Sequence, residues 1–205
     1  MKDGTRHVAV IDYGAGNLTS VLKGLRAAGA SPAVTADPAA VSGADAIVIP
    51  GVGHFGATTA VGSALRGSLV HAAAAGTPIL GICLGLQFLF DGSTEAPGVP
   101  GLGLLHGECS LLPAAAGIKI PHVGWNSLAL RRTSKLLAGV EDGAQVYFTH
   151  SYAAPVSDAT VAAATHGEEF AAVVDDGRNV FGVQFHPEKS GADGLRILSN
   201  FVALC

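Results

Sequence analysis

A cysteine flanked by glycines stands where the sequence changes from a strand pattern to a helix pattern. Residues 81–85 read Gly-Ile-Cys-Leu-Gly and follow the segment Thr-Pro-Ile-Leu. The G-x-C-x-G spacing matches a nucleophile elbow with cysteine in place of serine. Glycines are needed at such a turn because the backbone presses against its neighbours and leaves no room for side chains. We therefore expect the Cys83 sulfur to project from the end of a buried strand as a nucleophile.

The residues that follow Cys83 favour the same interpretation. A turn of this kind places Cys83 at a helix N-terminus, where the dipole and free N–H groups favour a thiolate. The Leu84 N–H then points toward a developing oxyanion. Gln87 lies four residues after Cys83, on the same helix face, and is the polar residue in the apolar run LGLQFLF. The alternative is that Cys83 is a small buried hydrophobic residue, as most free cysteines are.

A thiol nucleophile needs a base, and His186 is the strongest candidate among eight histidines. An apolar β run leads to it in the segment GVQFHPEKS, residues 182–190, and Pro187 interrupts the ladder there. Glu188 lies two residues on, so in extended chain it shares a face with His186. A carboxylate in that place would fix the imidazole tautomer and support the imidazolium. The alternative is an exposed His and Glu in an ordinary turn.

The first half of the chain alternates strand and helix patterns that would position Cys83. Strands are predicted at 7–11, 33–35, 45–49 and 78–82. Helices are predicted from Asn17, a candidate cap, to about Ala28, at 58–75 and at 84–90. Because the strands are continuously apolar, this alternation indicates a parallel sheet covered by helices on both faces.

The second half is dominated by short β-like runs and would position His186. They extend from about Gly103 to Val183, and the turn DDGRN at 175–179 is a hairpin signal. A closing helix is predicted at 193–204. We expect a single α/β domain over residues 1–205, with an antiparallel extension of a mostly parallel sheet.

A glycine-rich loop at residues 50–56, PGVGHFG, imitates the dinucleotide fingerprint G-x-G-x-x-G. That fingerprint requires an acidic residue about 20 positions later to bind the ribose. After Gly56 no acidic residue occurs before Asp91. A second loop, YGAGNLT at 13–19, lacks the third glycine. We therefore predict no dinucleotide cofactor and interpret both loops as strand-to-helix turns at the site-forming edge of the sheet.

Composition excludes several classes of function. Because the formal net charge is −4 and the chain has no basic block, no nucleic-acid partner is expected. The longest apolar stretch, 77–90, is too short to span a bilayer, so no membrane partner is expected. The three cysteines are scattered without metal-site spacing, which predicts no metal and a reduced, cytoplasmic setting.

Taken together, the motifs resemble the class I, or triad, glutamine amidotransferases, and more narrowly their glutaminase subunits from imidazole glycerol phosphate synthases. The resemblance covers nearly the full length, and no residue that the chemistry requires departs from the family pattern. It rests on IDYGAGNL (11–18), PGVGHF (50–55), GICLGLQ (81–87), STEAPGVPGLGLL (93–105), PHVGWN (121–126), YFTHSY (147–152) and GVQFHPEKS (182–190).

The resemblance implies a flavodoxin-like fold and a role for particular residues. It implies a catalytic triad of Cys83, His186 and Glu188. Three further groups follow from it: an oxyanion hole from the N–H groups of Leu84 and of Val52 or Gly53; glutamine contacts from Gly53, Gln87, Glu95, Ser151 and Tyr152; and a surface facing the partner and the ammonia passage from Asn17, Trp125, Asn126, Tyr147 and Lys189. His122 and His150 receive no catalytic role and are expected to be structural or interfacial.

The resemblance also implies a reaction, a partner and no cofactor. Glutamine would be hydrolysed through a cysteinyl thioester, and the ammonia would pass to a cyclase subunit, a (β/α)8 barrel, in a heterodimer. Two alternatives remain open on sequence. The chain could serve a synthase that makes anthranilate, guanylate or pyridoxal phosphate, which DYGAGN and PHVGWN disfavour. It could also be a non-catalytic α/β binding module, which an intact triad disfavours.

Overall fold

The computed structural model describes residues 5–114 and 117–205. Its strands are β1 Arg6–Ile11, β2 Ala30–Thr35, β3 Ala46–Ile49, β4 Ile79–Ile82, β5 Gly92–Ser93, β6 Glu108–Leu111, β7 His122–Ser127, β8 Ala129–Leu130, β9 Gln145–His150, β10 Tyr152–Ala153, β11 Thr160–His166, β12 Glu168–Asp175 and β13 Val180–Val183. Its α-helices are α1 Leu18–Ala27, α2 Pro38–Ser42, α3 Ser63–Ala74, α4 Leu84–Leu89 and α5 Gly191–Ala203. Short 3-10 helices occupy Phe55–Ala60, Lys135–Leu137 and Pro187–Lys189.

The large sheet has the strand order β2-β1-β3-β4-β13-β12-β11-β8. The pairs from β2 through β13 are parallel, whereas β12, β11 and β8 each run antiparallel to the preceding neighbour. This order confirms the predicted mixed sheet with an antiparallel extension. It also makes β4 and β13 direct neighbours, so the predicted nucleophile and the predicted base follow adjacent strand ends.

Two apolar clusters cover the two faces of this sheet. Alternate residues of β1 divide between them, with Val8 and Val10 in one cluster and Ala9 and Ile11 in the other. The first cluster includes residues of α1 and α5, and the second includes residues of α2, α3 and α4. The strands are therefore buried on both faces, which is why they appear as continuous apolar runs.

Three elements differ from the sequence-based expectations. The single helix predicted at 58–75 is divided into the 3-10 helix Phe55–Ala60 and α3, because the Thr58 and Thr59 hydroxyls donate to carbonyls three residues back. Helix α2 was not predicted, although Asp37 caps it and Pro38 begins it. Strand β2 begins three residues earlier than expected, and it tolerates Pro32 because it is an edge strand.

A separate two-stranded ribbon, β7–β9, packs beside the large sheet. Its inner face carries His122, Asn126 and His150, while Trp125 and Tyr147 pair on the outer face. No helix in the described part of the chain is long and apolar enough to cross a membrane.

Candidate active site

Cys83 occupies the sharp turn between β4 and α4. Among the residues that the structure describes it is the non-glycine residue with a positive φ, at φ 53° and ψ −108°. Its N–H donates to the Val183 carbonyl at 2.8 Å, which continues the pairing of β4 with β13 to the end of the strand. Only 4% of the residue is exposed. The predicted elbow is thus present, and it places the sulfur in a largely buried site.

The two glycines of the motif are required by close backbone approach. A Cβ on Gly81 would lie 2.6 Å from the Gly85 carbonyl oxygen. A Cβ on Gly85 would overlap the Ile49 carbonyl oxygen at the end of β3. Both contacts are with backbone, which cannot move aside as a flexible side chain would. The structure confirms that the motif needs residues without side chains at these positions.

His186 and Glu188 form a buried hydrogen-bonded pair beside the elbow. The His186 Nδ1–H donates to Glu188 Oε1 at 2.8 Å, and the side chains are 3% and 1% exposed. A carboxylate only accepts, so in the neutral imidazole the Nδ1 carries the proton and Nε2 is left as a base. His186 lies three residues after Val183, whose carbonyl binds the Cys83 N–H. The pair is therefore held next to the end of β4.

The surroundings of His186 favour its protonated form. Burial alone lowers the pKa of His186, but interactions with Cys83 and Glu188 outweigh burial and raise this pKa to about 9. Among the described residues, His186 Nε2 and Glu188 Oε2 have no hydrogen-bond partner of ordinary geometry. Nε2 has no such partner, and the interaction with Cys83 that raises this pKa favours transfer of the thiol proton to Nε2.

The Cys83 sulfur has two polar neighbours that sequence reasoning did not single out. Sγ lies 3.8 Å from the Thr149 carbonyl oxygen, to which the thiol donates, and the Gln184 Nε2 donates to Sγ at 3.6 Å. Gln184 Oε1 in turn accepts from Gln87 Nε2 at 3.3 Å. Gln184 is fully buried. Its signal in the sequence was a polar residue within the apolar run GVQFH, the same signal that identified Gln87.

A cavity of about 240 Å³ opens beside the sulfur. It brings together all five residues predicted to contact glutamine. Its lining consists of Gly53, Cys83, Leu84, Gln87, Glu95, Pro121, Thr149, His150, Ser151 and Tyr152. Glu95 is fixed at its rim, because Oε2 accepts the Phe55 N–H at 2.6 Å. The described residues include no cluster of three or more His, Cys, Asp or Glu side chains suited to a metal ion.

The predicted oxyanion donors are not both free in this conformation. The Leu84 N–H donates to the Gly51 carbonyl at 3.3 Å. The Val52 N–H belongs to the same planar trans peptide as that carbonyl, so it points away from Leu84. Gly53, at φ 110°, lines the cavity. If the Val52 N–H is the second donor, the peptide between Gly51 and Val52 must rotate before both N–H groups can face the same oxygen.

The residues predicted to face a partner do not all lie on one surface. Trp125 is 56% exposed, and its ring packs edge-on against Tyr147 at 6.1 Å between centroids. The Lys189 ammonium lies 5.8 Å from the centre of the Tyr147 ring. Asn17 is exposed and caps α1. Asn126 lies on the opposite face of β7 from Trp125, and its amide binds the Thr165 carbonyl at 2.9 Å inside the chain.

The sequence profile described as Glutamine amidotransferase class-I matches residues 9–205. The chain belongs to the class I glutamine amidotransferases. Two curated relatives are each named imidazole glycerol phosphate synthase subunit HisH. The protein of Thermococcus kodakarensis is 47% identical over 95% of this chain and 98% of its own length. That of Halobacterium salinarum is 48% identical over 97% and 93%. These matches confirm the family, the narrower HisH resemblance and the glutamine amidotransferase activity predicted from the motifs.

Solved structures of other proteins share the fold. PurLQS from Thermotoga maritima has a TM-score of 0.75 at 22% identity and covers 97% of this chain and 98% of its own. A protein described as a glutamine amidotransferase has a TM-score of 0.75 at 17% identity, and the match covers 96% of this chain and 97% of that protein. At these identities the likeness concerns the fold alone, and it confirms the predicted flavodoxin-like α/β architecture.

Proposed function

We propose that the chain is the glutaminase subunit of an imidazole glycerol phosphate synthase in the cytoplasm. It hydrolyses glutamine to glutamate and ammonia and delivers the ammonia to a cyclase subunit, a (β/α)8 barrel, in a heterodimer that serves histidine biosynthesis. The observation that carries the proposal is the cavity beside Cys83. It is lined by all five predicted glutamine contacts and stands next to a buried His186–Glu188 pair.

The reaction proceeds in two acyl-transfer steps. His186 Nε2 takes the Cys83 proton, and the thiolate attacks the side-chain amide carbon of glutamine. When the tetrahedral intermediate collapses, the imidazolium protonates the departing nitrogen, which leaves as ammonia, and a thioester remains. His186 then takes a proton from water, the hydroxide attacks the thioester carbonyl, and glutamate leaves as the Cys83 thiol re-forms. Glu188 keeps the imidazole in the tautomer that exposes Nε2.

Both tetrahedral intermediates carry an oxyanion that needs two N–H donors. Rotation of the peptide between Gly51 and Val52 would release the Leu84 N–H from the Gly51 carbonyl. The same rotation would turn the Val52 N–H toward the oxyanion. The conformation in which the Leu84 N–H is bound to the Gly51 carbonyl is then one of low activity. Losing one such donor costs on the order of 10² to 10³ in kcat.

The rival functions make different demands on the chain. A glutaminase for another synthase would keep the triad but not the outer surface that carries Trp125. A non-catalytic binding module would not need a base aimed at a thiol. Labelling with a glutamine-mimicking electrophile separates the second rival from an enzyme, because only an activated thiol at position 83 reacts in competition with glutamine.

The deciding experiment supplies nitrogen to the cyclase subunit either as glutamine or as ammonium salt. The complex with the cyclase subunit is assembled with wild-type chain and with Cys83→Ala, and cyclase turnover is measured with glutamine and, separately, with ammonium salt at high pH. We expect the variant to lose glutamine-driven turnover completely, because no nucleophile remains. Ammonia-driven turnover should stay near the wild-type rate, since that site lies on the other subunit.

The other two cysteines provide matched controls. Neither Cys109 nor Cys205 lines the cavity, so changing either to Ser should leave glutamine-driven turnover within about twofold. Near-wild-type glutaminase activity in Cys83→Ser, or loss of both turnovers in a correctly assembled Cys83→Ala complex, would overturn the proposal.

A further inference from the structure

The inner face of the β7–β9 ribbon carries a line of hydrogen-bonded side chains that the proposed mechanism does not use. His122 and His150 are directly paired across the two strands and both are buried. Asn126, on the same face of β7, extends the line toward the strand end. His150 also lines the cavity beside Cys83. The line therefore connects the body of the ribbon to the candidate glutamine site.

Its hydrogen bonds run in one direction only. At one end, the carbonyl oxygen of Tyr152 only accepts, so His150 Nδ1, at 2.9 Å, carries the proton. His150 Nε2 is then an acceptor, and His122 Nδ1 donates to it at 3.0 Å. That leaves His122 Nε2 as the acceptor for the Asn126 amide at 3.3 Å. Every imidazole nitrogen has a partner, and both rings are neutral.

The surroundings keep both rings neutral. Burial lowers the pKa of His122 to about 4, with a contribution from His166, whose ring stacks on it at 4.1 Å. Burial likewise lowers the pKa of His150 to about 3, with His122, His166 and His186 acting in the same direction and the Tyr152 carbonyl acting against them. A histidine with a lowered pKa takes up its proton only below that pKa. The line therefore persists through the neutral range of pH.

The end of the line fixes one peptide of the cavity wall. The Tyr152 carbonyl accepts from His150 Nδ1 and also from Gln87 Nε2 at 2.8 Å. Two donors arriving from different elements hold this peptide in one orientation. Residues 150–152 form one side of the cavity, so their backbone position sets the shape in which a substrate must fit.

We propose that His122 and His150 are positioning residues for the substrate amino acid, and that they act by holding the Tyr152 carbonyl and with it the 150–152 wall of the cavity. The proposal rests on the proposed glutaminase function. It concerns binding of glutamine rather than bond breaking, so loss of the line should raise KM for glutamine and leave kcat within about twofold.

The first test compares two replacements of His150 in the complex with the cyclase subunit. His150→Phe keeps an aromatic ring between Phe148 and Phe170 but removes both nitrogens. We expect KM for glutamine to rise roughly tenfold, the scale of one lost hydrogen bond. His150→Asn places an amide donor near the position of Nδ1 and should recover most of that loss. An unchanged KM in both variants, or equal loss of kcat in both, would overturn the proposal.

The second test reverses the direction of hydrogen-bond donation between residue 126 and His122. In Asn126→Asp a carboxylate would accept from His122 Nε2, so a neutral His122 could no longer donate from Nδ1 to His150. Only doubly protonated His122 satisfies both neighbours. The carboxylate raises the pKa of His122, so the ratio of the variant's KM to the wild-type KM should rise as pH increases through this raised pKa. Asn126→Leu adds no charge and should show a constant ratio, whereas equal pH dependence in both variants would contradict the proposal.

These outcomes distinguish failure of the inference from failure of the proposed function. Wild-type complex that hydrolyses no glutamine would remove the function and the inference together. Wild-type glutaminase with normal KM in His150→Phe would remove the inference alone. Circular dichroism and assembly with the cyclase subunit are measured for each variant, and His122→Phe supplies a second interruption of the line if His150→Phe does not fold.

Discussion

Cys83 holds a backbone conformation that side chains rarely adopt. Its φ of 53° with ψ −108° costs on the order of 1–3 kcal/mol for a residue with a Cβ. The conformation persists because the Cys83 N–H is bound by Val183, while the carbonyl of the same residue accepts the Gln87 N–H at 3.1 Å and begins α4. The same turn is what aims the sulfur at the cavity, so at this residue stability is exchanged for orientation.

Glu188 is expected to matter through the proton that it holds on His186. In Glu188→Gln the side chain can donate to Nδ1, which would place the remaining proton on Nε2 and remove the base. We expect kcat for glutamine hydrolysis to fall on the order of 10²-fold or more, with an intact fold. Steady-state kinetics of the complex measures it, and a fall of less than about threefold would contradict the assigned role.

The same variant should change how stability depends on pH. Because the folded-state pKa of His186 is raised to about 9, its charge stabilises the fold fully below the ordinary value near 6.5. This stabilisation is lost as pH rises through about 9. Removing the Glu188 charge lowers the pKa of His186, so the advantage of wild type over Glu188→Gln should shrink between pH about 6.5 and 9. Urea unfolding at several pH values measures the difference, and a constant difference would contradict the pairing.

Helix α4 reaches its place only because its backbone touches that of β3. Gly85 is the contact residue, and a Cβ there would overlap the Ile49 carbonyl. Gly67 in α3 provides the matched case, since a Cβ there meets no atom within 4 Å. Close contact therefore requires glycine at position 85, whereas no contact requires it at position 67.

Alanine at these two positions should have opposite effects on stability. Gly85→Ala forces α4 away from β3, and we expect a loss of about 3 kcal/mol or more of unfolding free energy. Gly67→Ala removes backbone freedom from the unfolded chain and should gain about 0.5–1 kcal/mol. Urea unfolding of both variants is the measurement. Equal effects would mean that helix propensity, and not the close contact, decides at Gly85.

For helices and strands, sequence patterns predicted the presence of buried elements better than their boundaries. Strands β1, β3 and β4 were predicted because burial on both faces leaves an uninterrupted apolar run. The break between the 3-10 helix Phe55–Ala60 and α3 was missed because Thr58 and Thr59 bond backward through their hydroxyls, which composition does not reveal. The residues of the proposed triad were predicted from motifs, whereas Gln184 and the histidine pair depend on partners far away in sequence.

For the whole molecule, we expect a partner to bind the outer face of the ribbon. Trp125 and Tyr147 pair there, and Val123 is also exposed. Strand β9 of the ribbon reaches the cavity, because the Thr149 carbonyl, on the same strand as Tyr147, accepts from the Cys83 thiol. A partner bound to Trp125 and Tyr147 would therefore contact β9, the strand that ends beside Cys83.

Trp125→Ala should weaken assembly with the cyclase subunit by about 2 kcal/mol or more, the scale of an interface hot spot. Because Trp125 is exposed and adds little to the core, the isolated Trp125→Ala subunit should unfold at nearly the wild-type urea concentration. Val34→Ala, an exposed apolar residue on the edge strand β2, is the control and should leave the dissociation constant unchanged. Unfolding of the isolated Trp125→Ala subunit without a specific loss of binding would contradict this assignment.

Because β4 and β13 are neighbours in the sheet but distant in sequence, the site can form only late in translation. Cys83 emerges with the first half of the chain, but the strand that positions His186 is the last strand to be synthesised. A nascent or prematurely terminated chain that stops before residue 186 contains the thiol without its base. With the proposed triad, glutamine hydrolysis would begin only after residue 188 has left the exit tunnel and β13 has inserted between β4 and β12. Chains that stop before residue 186 would therefore release no ammonia by this route.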